Sequence, residues 1–260
     1  MTLNNERRIA VVTGSSAGIG LATVHKLLDA GINVVGCARR SDRLEALEQE
    51  VQERYGQRSF VGVPGDVQDP TTIERMLSTC NEVFGGAPDI FLINAGKGLP
   101  GSILQSDQNK WEELFQLNCL SALNQMKAAA NTMLKTATQY GDNPKAQDII
   151  VLGSIVGRNL SPVNPVYGAT KYAVHSLAEA LRRELAPHWI RVTLIEPGTV
   201  ATEFQDSAGY DAIAFKDYEH QIGPFVTGDD VANFILFAIS QPAHVHFNDV
   251  VIRPTRQTYP

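Results

Sequence analysis

The sequence predicts an α/β fold: a doubly wound parallel sheet of seven strands with helices on both faces. Short runs rich in β-branched residues alternate with longer amphipathic stretches along the chain, and several of these runs are almost continuously apolar. Buried parallel strands have this composition, and regular alternation of strands and helices folds as such a sheet. No Pro/Gly/Ser-rich or strongly charged stretch divides the 260 residues. We therefore expect a single domain over residues 1–260, with residues 1–7 flexible.

The β-branched runs predict strands at Ile9–Thr13, Asn33–Ala38, Ser59–Val63, Ile90–Asn94, Asp148–Leu152, Val192–Glu196 and Val250–Arg253. The amphipathic stretches predict helices at Ile19–Ala30, Asp42–Tyr55, Pro70–Phe84, Lys110–Thr138, Val166–Ala186 and Asp229–Ser240. Ser41 and Asp69 stand near two of the helix starts, as capping residues do. The pattern is that of a Rossmann-type fold, in which ligands bind outside the carboxyl ends of the strands. The residues that follow each strand are therefore candidates for a functional site.

The charge balance and the N-terminus narrow the class of protein. A formal net charge of −6 and a pI near 5.5 argue against a nucleic-acid partner, because phosphate backbones favour clustered Lys and Arg. The N-terminus is polar, and the chain has no long apolar run. We therefore expect a soluble, cytoplasmic protein with no membrane partner.

The spacing of cysteines and histidines predicts no metal site. Cys37, Cys80 and Cys119 are far apart and form no Cys-x-x-Cys pair, so we expect buried or half-buried thiols in a reducing cytoplasm. His244 and His246 are two residues apart, but no carboxylate or cysteine cluster completes a ligand set. A pair of loop histidines is the simpler interpretation.

A glycine-rich turn follows the first predicted strand. Thr13-Gly14-Ser15-Ser16-Ala17-Gly18-Ile19-Gly20 leads directly into a helix. The glycines allow a tight turn and let backbone N–H groups approach a pyrophosphate at the positive end of that helix. Such a turn also fits an ordinary loop between a strand and a helix. Its place after the first strand of an α/β chain favours dinucleotide binding.

Tyr167 and Lys171 are four residues apart on a predicted helix, and Ser154 stands thirteen residues before Tyr167. Residues four apart share a helix face, so the Lys171 ammonium is expected to lie near the Tyr167 phenol and lower its pKa. A tyrosine with a lowered pKa can act as an acid or base at neutral pH. Such a pair is also common on solvated helices, and Ser154 by itself fits a loop or capping hydroxyl.

Together these motifs resemble the short-chain dehydrogenase/reductase family, in its single-domain branch, from about Arg8 to the C-terminus. The family's catalytic residues match Asn118, Ser154, Tyr167 and Lys171. The resemblance implies cofactor contacts at Gly14, Ser16, Gly18, Ile19, Gly20, Arg39, Arg40, Asp66, Val67, Asn94, Ala95, Gly96, Tyr167, Lys171, Pro197, Gly198, Val200 and Thr202. One departure is Ile93, which stands where the family usually has the first asparagine of Asn-Asn-Ala-Gly. We expect Asn94 to suffice.

The resemblance implies an oxidoreductase that transfers a hydride between a nicotinamide cofactor and an alcohol or carbonyl carbon. In reduction, Tyr167 is expected to donate the proton and Ser154 to polarise the substrate oxygen. Lys171 is expected to bind ribose hydroxyls and tune Tyr167, and Asn118 to hold a water that links Lys171 to solvent.

The end of the second strand favours NADP over NAD. NAD enzymes normally place Asp or Glu near the position of Ala38, whereas Arg39, with Arg40 beside it, can pair with a 2′-phosphate. The alternative is that both arginines are surface charges.

Three residues are candidate substrate contacts. Arg158 and Lys97 follow strands and could bind an anionic group. The alternative for Arg158, which is the role of an arginine there in many members of the family, is to brace its own loop. Phe204 stands near the start of an aromatic-rich stretch. That stretch, residues 203–227, is expected to be a mobile lid; the alternative is an irregular helix packed on the core.

The C-terminal run from Pro242 to Thr255 is similar to that of NADP-dependent serine and 3-hydroxy acid dehydrogenases and small-aldehyde reductases of the family. This similarity implies a small polar aldehyde, hydroxy acid or hydroxy-sulfonate as substrate, rather than a steroid or a long acyl chain. The family also implies a homotetramer or homodimer formed through the long helices 110–138 and 166–186.

Two other functions are compatible with the fold class. One is a non-enzymatic, NADP-binding regulatory protein, because fold does not fix function. Ser154, Tyr167 and Lys171 favour the enzyme over it. The other is an epimerase or dehydratase, which would normally require a larger C-terminal substrate domain than this chain provides.

Overall fold

The computed structural model describes residues 7–56, 58–137 and 145–259. Its strands are β1 (Ile9–Thr13), β2 (Asn33–Ala38), β3 (Phe60–Pro64), β4 (Ile90–Ile93), β5 (Gln147–Leu152), β6 (Ile190–Pro197), β7 (Val200–Ala201), β8 (Val226–Thr227) and β9 (Asp249–Ile252). Its helices are α1 (Gly18–Asp29), α2 (Ser41–Tyr55), α3 (Pro70–Phe84), α4 (Trp111–Phe115), α5 (Ala122–Ala137), α6 (Pro165–Leu185), α7 (Phe204–Ala208), α8 (Ala212–Ile222) and α9 (Gly228–Ile239). Residues 1–6, most of the segment expected to be flexible, and Thr138 lie outside the described residues.

Seven strands form one parallel sheet in the order β3-β2-β1-β4-β5-β6-β9. The chain proceeds from β1 outward to β3 and then returns to the other side of β1 at β4. Strand order reverses there, so a crevice opens between the loops that follow β1 and β4. The predicted doubly wound α/β fold, in a single domain, is confirmed.

The predicted strands all occur in this sheet. The bounds of β1 and β2 are as predicted, and each of the other five differs by one or two residues at one or both ends. Of the two proposed capping residues, Asp69 caps α3, since its carboxylate accepts the Thr71 backbone N–H at 2.9 Å. Ser41 does not cap α2. It is the first helical residue, and Arg40 holds the cap position without a side-chain hydrogen bond.

The predicted helix 110–138 is not uniform. A π-helical segment, Gln116–Ser121, joins α4 to α5 and contains Asn118. Apolar residues continue at nearly helical intervals through this segment, so spacing alone does not reveal the wider turn. Such turns occur frequently at functional sites.

Residues 203–227 are mostly helical rather than an extended loop. They contain α7 and α8, and the short parallel strands β7 and β8 pair beside them. Neither α7 nor α8 has a fully buried residue, so both helices lie on the surface. This outcome is closer to the alternative of an irregular helix, and the expected mobility stays a prediction.

Apolar side chains cover both faces of the sheet. One cluster, with Phe91 and Met126 among its members, lies on the side of α3, α5 and α6. The other, with Leu27 and Phe60, lies on the side of α1, α2 and α9. All five residues of β1 are buried. The sheet is therefore covered on both faces, and ligands reach it at its ends.

The cysteines are free and buried, as predicted, and burial raises the pKa of the thiols of Cys37, Cys80 and Cys119. His246 Nε2 lies 3.0 Å from the Val192 carbonyl oxygen, within hydrogen-bond distance. Within the described ranges, no helix combines the length and apolarity that a membrane crossing requires.

Candidate active site

A cleft of about 1020 Å³ opens at the carboxyl ends of the strands. Its floor comes from the loops that follow β1 to β6, and its outer wall comes from residues 203–227, called the lid segment below. The sequence placed its candidate residues just after the strands. The cleft is therefore where most of those candidates meet.

The turn after β1 lets a ligand approach the backbone closely. Gly14 and Gly18 have positive φ values of 68° and 53°, which L side chains rarely adopt. A Cβ atom at Gly14 would lie 2.6 Å from Asn94 Nδ2, and one at Gly20 would lie 2.2 Å from the Gly14 carbonyl oxygen. The first two glycines thus set the path of the turn, and Gly20 lets α1 pack against it.

Asn94 ties this turn to the end of β4. Its Nδ2 donates to the Thr13 and Gly14 carbonyl oxygens at 2.9 and 3.3 Å, and its backbone N–H donates to Thr13 Oγ1 at 3.0 Å. Thr13 is fully buried and was not among the predicted site residues, although it begins the glycine motif. Ile93 is part of the core, so its presence in place of an asparagine leaves this link intact.

The residues expected to contact a cofactor line the cleft, with one exception. Those lining it are Gly14, Ser16, Gly18, Ile19, Arg39, Arg40, Asp66, Val67, Asn94, Ala95, Gly96, Tyr167, Lys171, Pro197, Gly198, Val200 and Thr202. The exception is Gly20, which lies in the first turn of α1. Their roles as cofactor contacts stay predictions.

Ser154, Tyr167 and Lys171 meet on the floor of the cleft. Tyr167 and Lys171 are one turn apart in α6, and Ser154 follows β5. The Tyr167 hydroxyl is hydrogen-bonded to the Ser154 side chain. Lys171 Nζ donates to the Leu152 carbonyl oxygen at 2.8 Å and lies 5.8 Å from the centre of the Tyr167 ring. The three side chains therefore form one polar group in a buried setting.

Burial decides the protonation of this group. It raises the pKa of Tyr167, the nearby Tyr210 raises it further, and the hydrogen bond with Ser154 lowers it. Burial also lowers the pKa of Lys171 to about 8, because a desolvated ammonium is disfavoured. The expected lowering of the Tyr167 pKa by Lys171 is not found, since desolvation of the phenol sets the direction. Tyr167 therefore keeps its proton at neutral pH.

His175 supports Ser154 and was not predicted to belong to the site. Its Nε2 accepts the Ser154 backbone N–H at 3.2 Å. Burial lowers the pKa of His175 to about 4, so the ring is neutral and can accept this bond. Cβ atoms at Gly153 and Gly157 would lie 2.3 and 2.5 Å from Nε2. The position of His175 four residues after Lys171 was the signal that could have identified it.

Asn118 lies behind the cleft and does not line it. Its Oδ1 accepts the Lys97 backbone N–H at 2.9 Å. Its Nδ2 donates to the Lys97 carbonyl oxygen at 2.9 Å and to Thr170 Oγ1 at 3.0 Å. The amide thus fixes the loop after β4 against α6, next to Lys171, and the water relay expected of it stays a prediction.

Two of the predicted substrate contacts do not line the cleft. Arg158 Nε donates to Glu196 Oε2 at 2.8 Å, and its Nη2 also contacts Asp249. Lys97 Nζ lies 3.2 Å from Glu113 Oε1. Arg158 therefore braces the loop after β5, because carboxylates on β6 and β9 hold its guanidinium away from the cleft. Lys97 is likewise held at the surface by its ion pair.

The lid segment supplies an aromatic wall beside Tyr167. The ring of Phe204, the third predicted substrate contact, lies 5.9 Å from the Tyr167 ring between centres, and Phe204 lines the cleft. Tyr210 lines it as well, and its hydroxyl accepts from Asn164 Nδ2 at 2.8 Å. Two further aromatic residues of this wall are Phe215 and Tyr218. The sequence indicated only an aromatic-rich stretch here, without showing which rings face the cleft.

Comparisons with known proteins give consistent matches. The profile of the family described as short chain dehydrogenase matches residues 8–212. An uncharacterized oxidoreductase of Staphylococcus aureus strain MRSA252 is 33% identical over 247 residues, which are 95% of this chain and 97% of the relative.

Solved structures are similar over nearly the whole chain. The closed form of serine dehydrogenase, complexed with NADP+, superimposes with a TM-score of 0.84 at 28% identity and covers 96% of both chains. L-sorbose reductase from Gluconobacter frateurii, complexed with NADPH and L-sorbose, superimposes with a TM-score of 0.81 at 26% identity and covers 98% of both chains.

Proposed function

The chain belongs to the short chain dehydrogenase family, and we propose that it is an oxidoreductase that transfers a hydride between NADP and a small alcohol or carbonyl compound. The observation that carries this proposal is that Ser154, Tyr167 and Lys171 share one cleft with the glycine turn. The turn suits the phosphates of a dinucleotide. The three side chains suit proton transfer at a substrate oxygen.

Two features of the cleft fit NADP. The glycine turn lines the cleft with Gly14, Ser16 and Gly18 at the start of α1, where backbone N–H groups can approach a phosphate. Arg39 and Arg40 line the cleft at the end of β2, where Ala38 offers no carboxylate for a ribose hydroxyl. The NADP+ of serine dehydrogenase and the NADPH of L-sorbose reductase support the same cofactor.

The cofactor supplies the hydride chemistry when bound, and the chain supplies the proton. In reduction, Tyr167 donates its phenolic proton to the substrate oxygen as negative charge develops there, and Ser154 donates a hydrogen bond to the same oxygen. The raised pKa of Tyr167 holds the proton on the phenol until that charge appears. The Lys171 ammonium, 5.8 Å from the centre of the Tyr167 ring, would hold the ribose hydroxyls of the cofactor beside the phenol.

The proposed substrates are small, neutral, polar aldehydes and ketones and the corresponding alcohols. Hydroxy acids and hydroxy-sulfonates were also expected from the sequence. Their proposed cationic partners, Arg158 and Lys97, do not line the cleft. Among the described residues that do line it, the cationic side chains are Arg39, Arg40 and Lys171. An anionic substrate group would therefore lose water without gaining a dedicated partner, which is unfavourable.

The wall beside Tyr167 fits a neutral polar substrate. Phe204 offers an apolar ring, whereas the Tyr210 hydroxyl and the Asn164 amide offer uncharged hydrogen-bonding groups. L-sorbose, bound by the reductase of similar structure, is a neutral polar compound and supports this choice.

A matched pair of aldehydes tests the proposal. NADPH oxidation is measured with a neutral hydroxyaldehyde and with a carboxylated aldehyde of the same chain length. We expect kcat/KM to be greater for the neutral compound by about tenfold, equivalent to 1.4 kcal/mol. Greater activity with the anionic compound would refute the substrate class alone. Failure of the enzyme to oxidise NADPH with any carbonyl compound, or to reduce NADP+ with any alcohol, would refute the function.

The cofactor preference has a separate test. NADPH should bind more tightly than NADH, because arginines can make charge-assisted hydrogen bonds to its 2′-phosphate. Replacing Ala38 by Asp and Arg39 by Leu together should reverse this order. Fluorescence titration of both cofactors measures it, and equal affinity of the unmodified protein for the two would refute the preference.

We also propose a homotetramer or homodimer formed through the long helices, as the family resemblance implies. Large apolar side chains that are exposed on α4, α5, α6 and the π-helical segment support an interface there: Phe115, Leu120, Leu123 and Tyr172. Sedimentation equilibrium should give a mass that is two or four times the chain mass. Substituting Leu120 by Glu should lower that mass, and a monomeric wild type would refute the assembly.

A further inference from the structure

A carboxylate and two guanidinium groups meet at the rim of the cleft. Glu203 Oε2 lies 3.1 Å from Arg40 Nη1, and Arg43 Nη1 lies 2.9 Å from both Glu203 oxygens. Arg40 also donates from Nη2 to Ser16 Oγ at 3.1 Å. The two arginines lower the pKa of Glu203, so the carboxylate is charged at neutral pH. These four residues are called the Glu203 cluster below.

The partners of Glu203 belong to the region proposed to hold the 2′-phosphate of NADP. Arg40 and Ser16 line the cleft, and Ser16 is part of the glycine turn. Guanidinium groups bind carboxylate and phosphate oxygens with the same hydrogen-bond geometry. Arg43, in the first turn of α2, was not expected from the sequence to take part. The Glu203 carboxylate therefore has the surroundings that suit a phosphate.

This carboxylate comes from the other side of the cleft. Glu203 is the first residue of the lid segment and directly follows Thr202, whereas Arg40 and Arg43 stand at the start of α2. A 2′-phosphate bound to the same arginines would lie close to a like charge. Each anion would then weaken the binding of the other unless one of them moves away.

From this geometry, and resting on the proposed NADP-dependent function, we propose that Glu203 occupies the place of the cofactor's 2′-phosphate on Arg40 and Arg43 and is displaced when that phosphate binds. Glu203 thereby limits the affinity for NADP and determines how strongly the protein prefers NADP to NAD. Its displacement also connects arrival of the 2′-phosphate to the first residue of the lid segment.

The size of the effect follows from solvent exposure. The side chains of Glu203, Arg40 and Arg43 are 54%, 44% and 40% exposed. Water screens such ion pairs, so each contributes modestly to binding. Competition by Glu203 should therefore change the affinity for a 2′-phosphate severalfold without abolishing its binding.

Calorimetric titration of the whole chain with 2′,5′-ADP and with 5′-AMP tests this competition. The two probes differ only in the 2′-phosphate and require neither nicotinamide nor substrate. We expect 2′,5′-ADP to bind E203Q about three- to tenfold more tightly than wild type, and 5′-AMP to bind both proteins equally.

A matched control is D206N. Asp206 is an exposed carboxylate three residues further along the lid segment, and none of the ion pairs in the described ranges includes it. This variant loses the same charge outside the Glu203 cluster, so its affinity for either probe should equal that of wild type.

Several results would overturn the proposal. Unchanged affinity of E203Q for 2′,5′-ADP would show that the carboxylate does not compete. Equally weaker binding of both probes by E203Q would show that Glu203 helps to hold any nucleotide in the cleft. Equally tighter binding of 2′,5′-ADP by E203Q and D206N would show that the change in net charge alone causes the effect. Equal binding of the two probes by wild type would instead refute the NADP preference, while the comparison of E203Q with wild type would still report on Glu203.

Discussion

Two buried charges at opposite ends of the central sheet, Asp148 and Lys171, have opposite surroundings. At the amino ends of the strands, Asp148 and Arg191 are direct partners in the β5–β6 register and are 3% and 4% exposed. Arg191 donates from Nε and Nη2 to the two carboxylate oxygens at 2.7 and 2.9 Å. Arg8 adds a second cation 2.6 Å from Oδ2, and Arg191 Nη1 donates to the Val245 carbonyl oxygen at 2.9 Å. Charge at this end is paired within the protein.

At the carboxyl ends, Lys171 is also buried, with 8% exposure, but none of the ion pairs in the described ranges includes it. Its ammonium has the Leu152 carbonyl oxygen and the face of the Tyr167 ring as neighbours, and its remaining donors can serve a ligand. The comparison teaches that burial of a charge does not by itself indicate function. A buried charge that the fold leaves incompletely paired is the better indicator of a binding or catalytic site.

Removing one member of the buried Asp148–Arg191 ion pair should have the largest effect on stability. We expect Arg191→Met to lower the free energy of unfolding by about 3–5 kcal/mol, because the buried Asp148 would lose the partner that donates to both of its carboxylate oxygens. Denaturant unfolding measures this loss. A loss below about 1 kcal/mol, the range of solvent-exposed pairs, would show that water reaches this end and would break the comparison.

At the other end, Tyr167→Phe should reduce turnover by about 10² or more, as loss of a general acid does, while cofactor affinity and the free energy of unfolding stay near those of wild type. Steady-state kinetics with NADPH and a carbonyl substrate measure the loss. The control is Tyr172→Phe, the same substitution on the same helix at a residue that is 46% exposed, which should keep its activity. A Tyr167→Phe variant that retains most of its activity would refute the proposed proton donor.

Substitution of Lys171 should have the smallest of these effects. Unlike substitution of Arg191, it should raise the free energy of unfolding. Burial lowers the pKa of Lys171 from 10.5 to about 8, so the charged form is disfavoured in the folded state by up to about 3 kcal/mol. We therefore expect Lys171→Met to be more stable than wild type at pH 7, by about 1–3 kcal/mol, although inactive.

The pH dependence of that difference gives a second measurement. Below pH 8, both the folded and unfolded states hold the Lys171 proton, so the folded state bears the full free-energy cost of burying the charge. Between about 8 and 10.5 the unfolded chain binds a proton that the folded chain does not, so wild-type stability rises with pH relative to Lys171→Met. Thermal unfolding of both proteins across this range measures it. A variant less stable than wild type at pH 7, with a difference that does not change with pH, would show that this charge is well accommodated.

Much of the fold and part of the site followed from the sequence, because their signals are local. Strand composition, helix spacing and the glycine turn depend on neighbouring residues, so the main strands and the path of the chain after β1 were predictable. The pairing of Tyr167 with Lys171 followed from a spacing of one helical turn. These features would hold wherever the same segments fold into strands and helices of one parallel sheet.

Contacts between distant segments had no such signal. The sequence offered Arg158 as a substrate contact, but Glu196 and Asp249 hold it on the far side of its loop. It predicted a lowered pKa for Tyr167, whereas burial by surrounding elements raises it. Desolvation and ion pairing depend on which side chains the fold brings within a few ångströms of each other. The sequence therefore determined which chemical groups the site has, and only the tertiary structure decided their partners, their charge and which of them face the cleft.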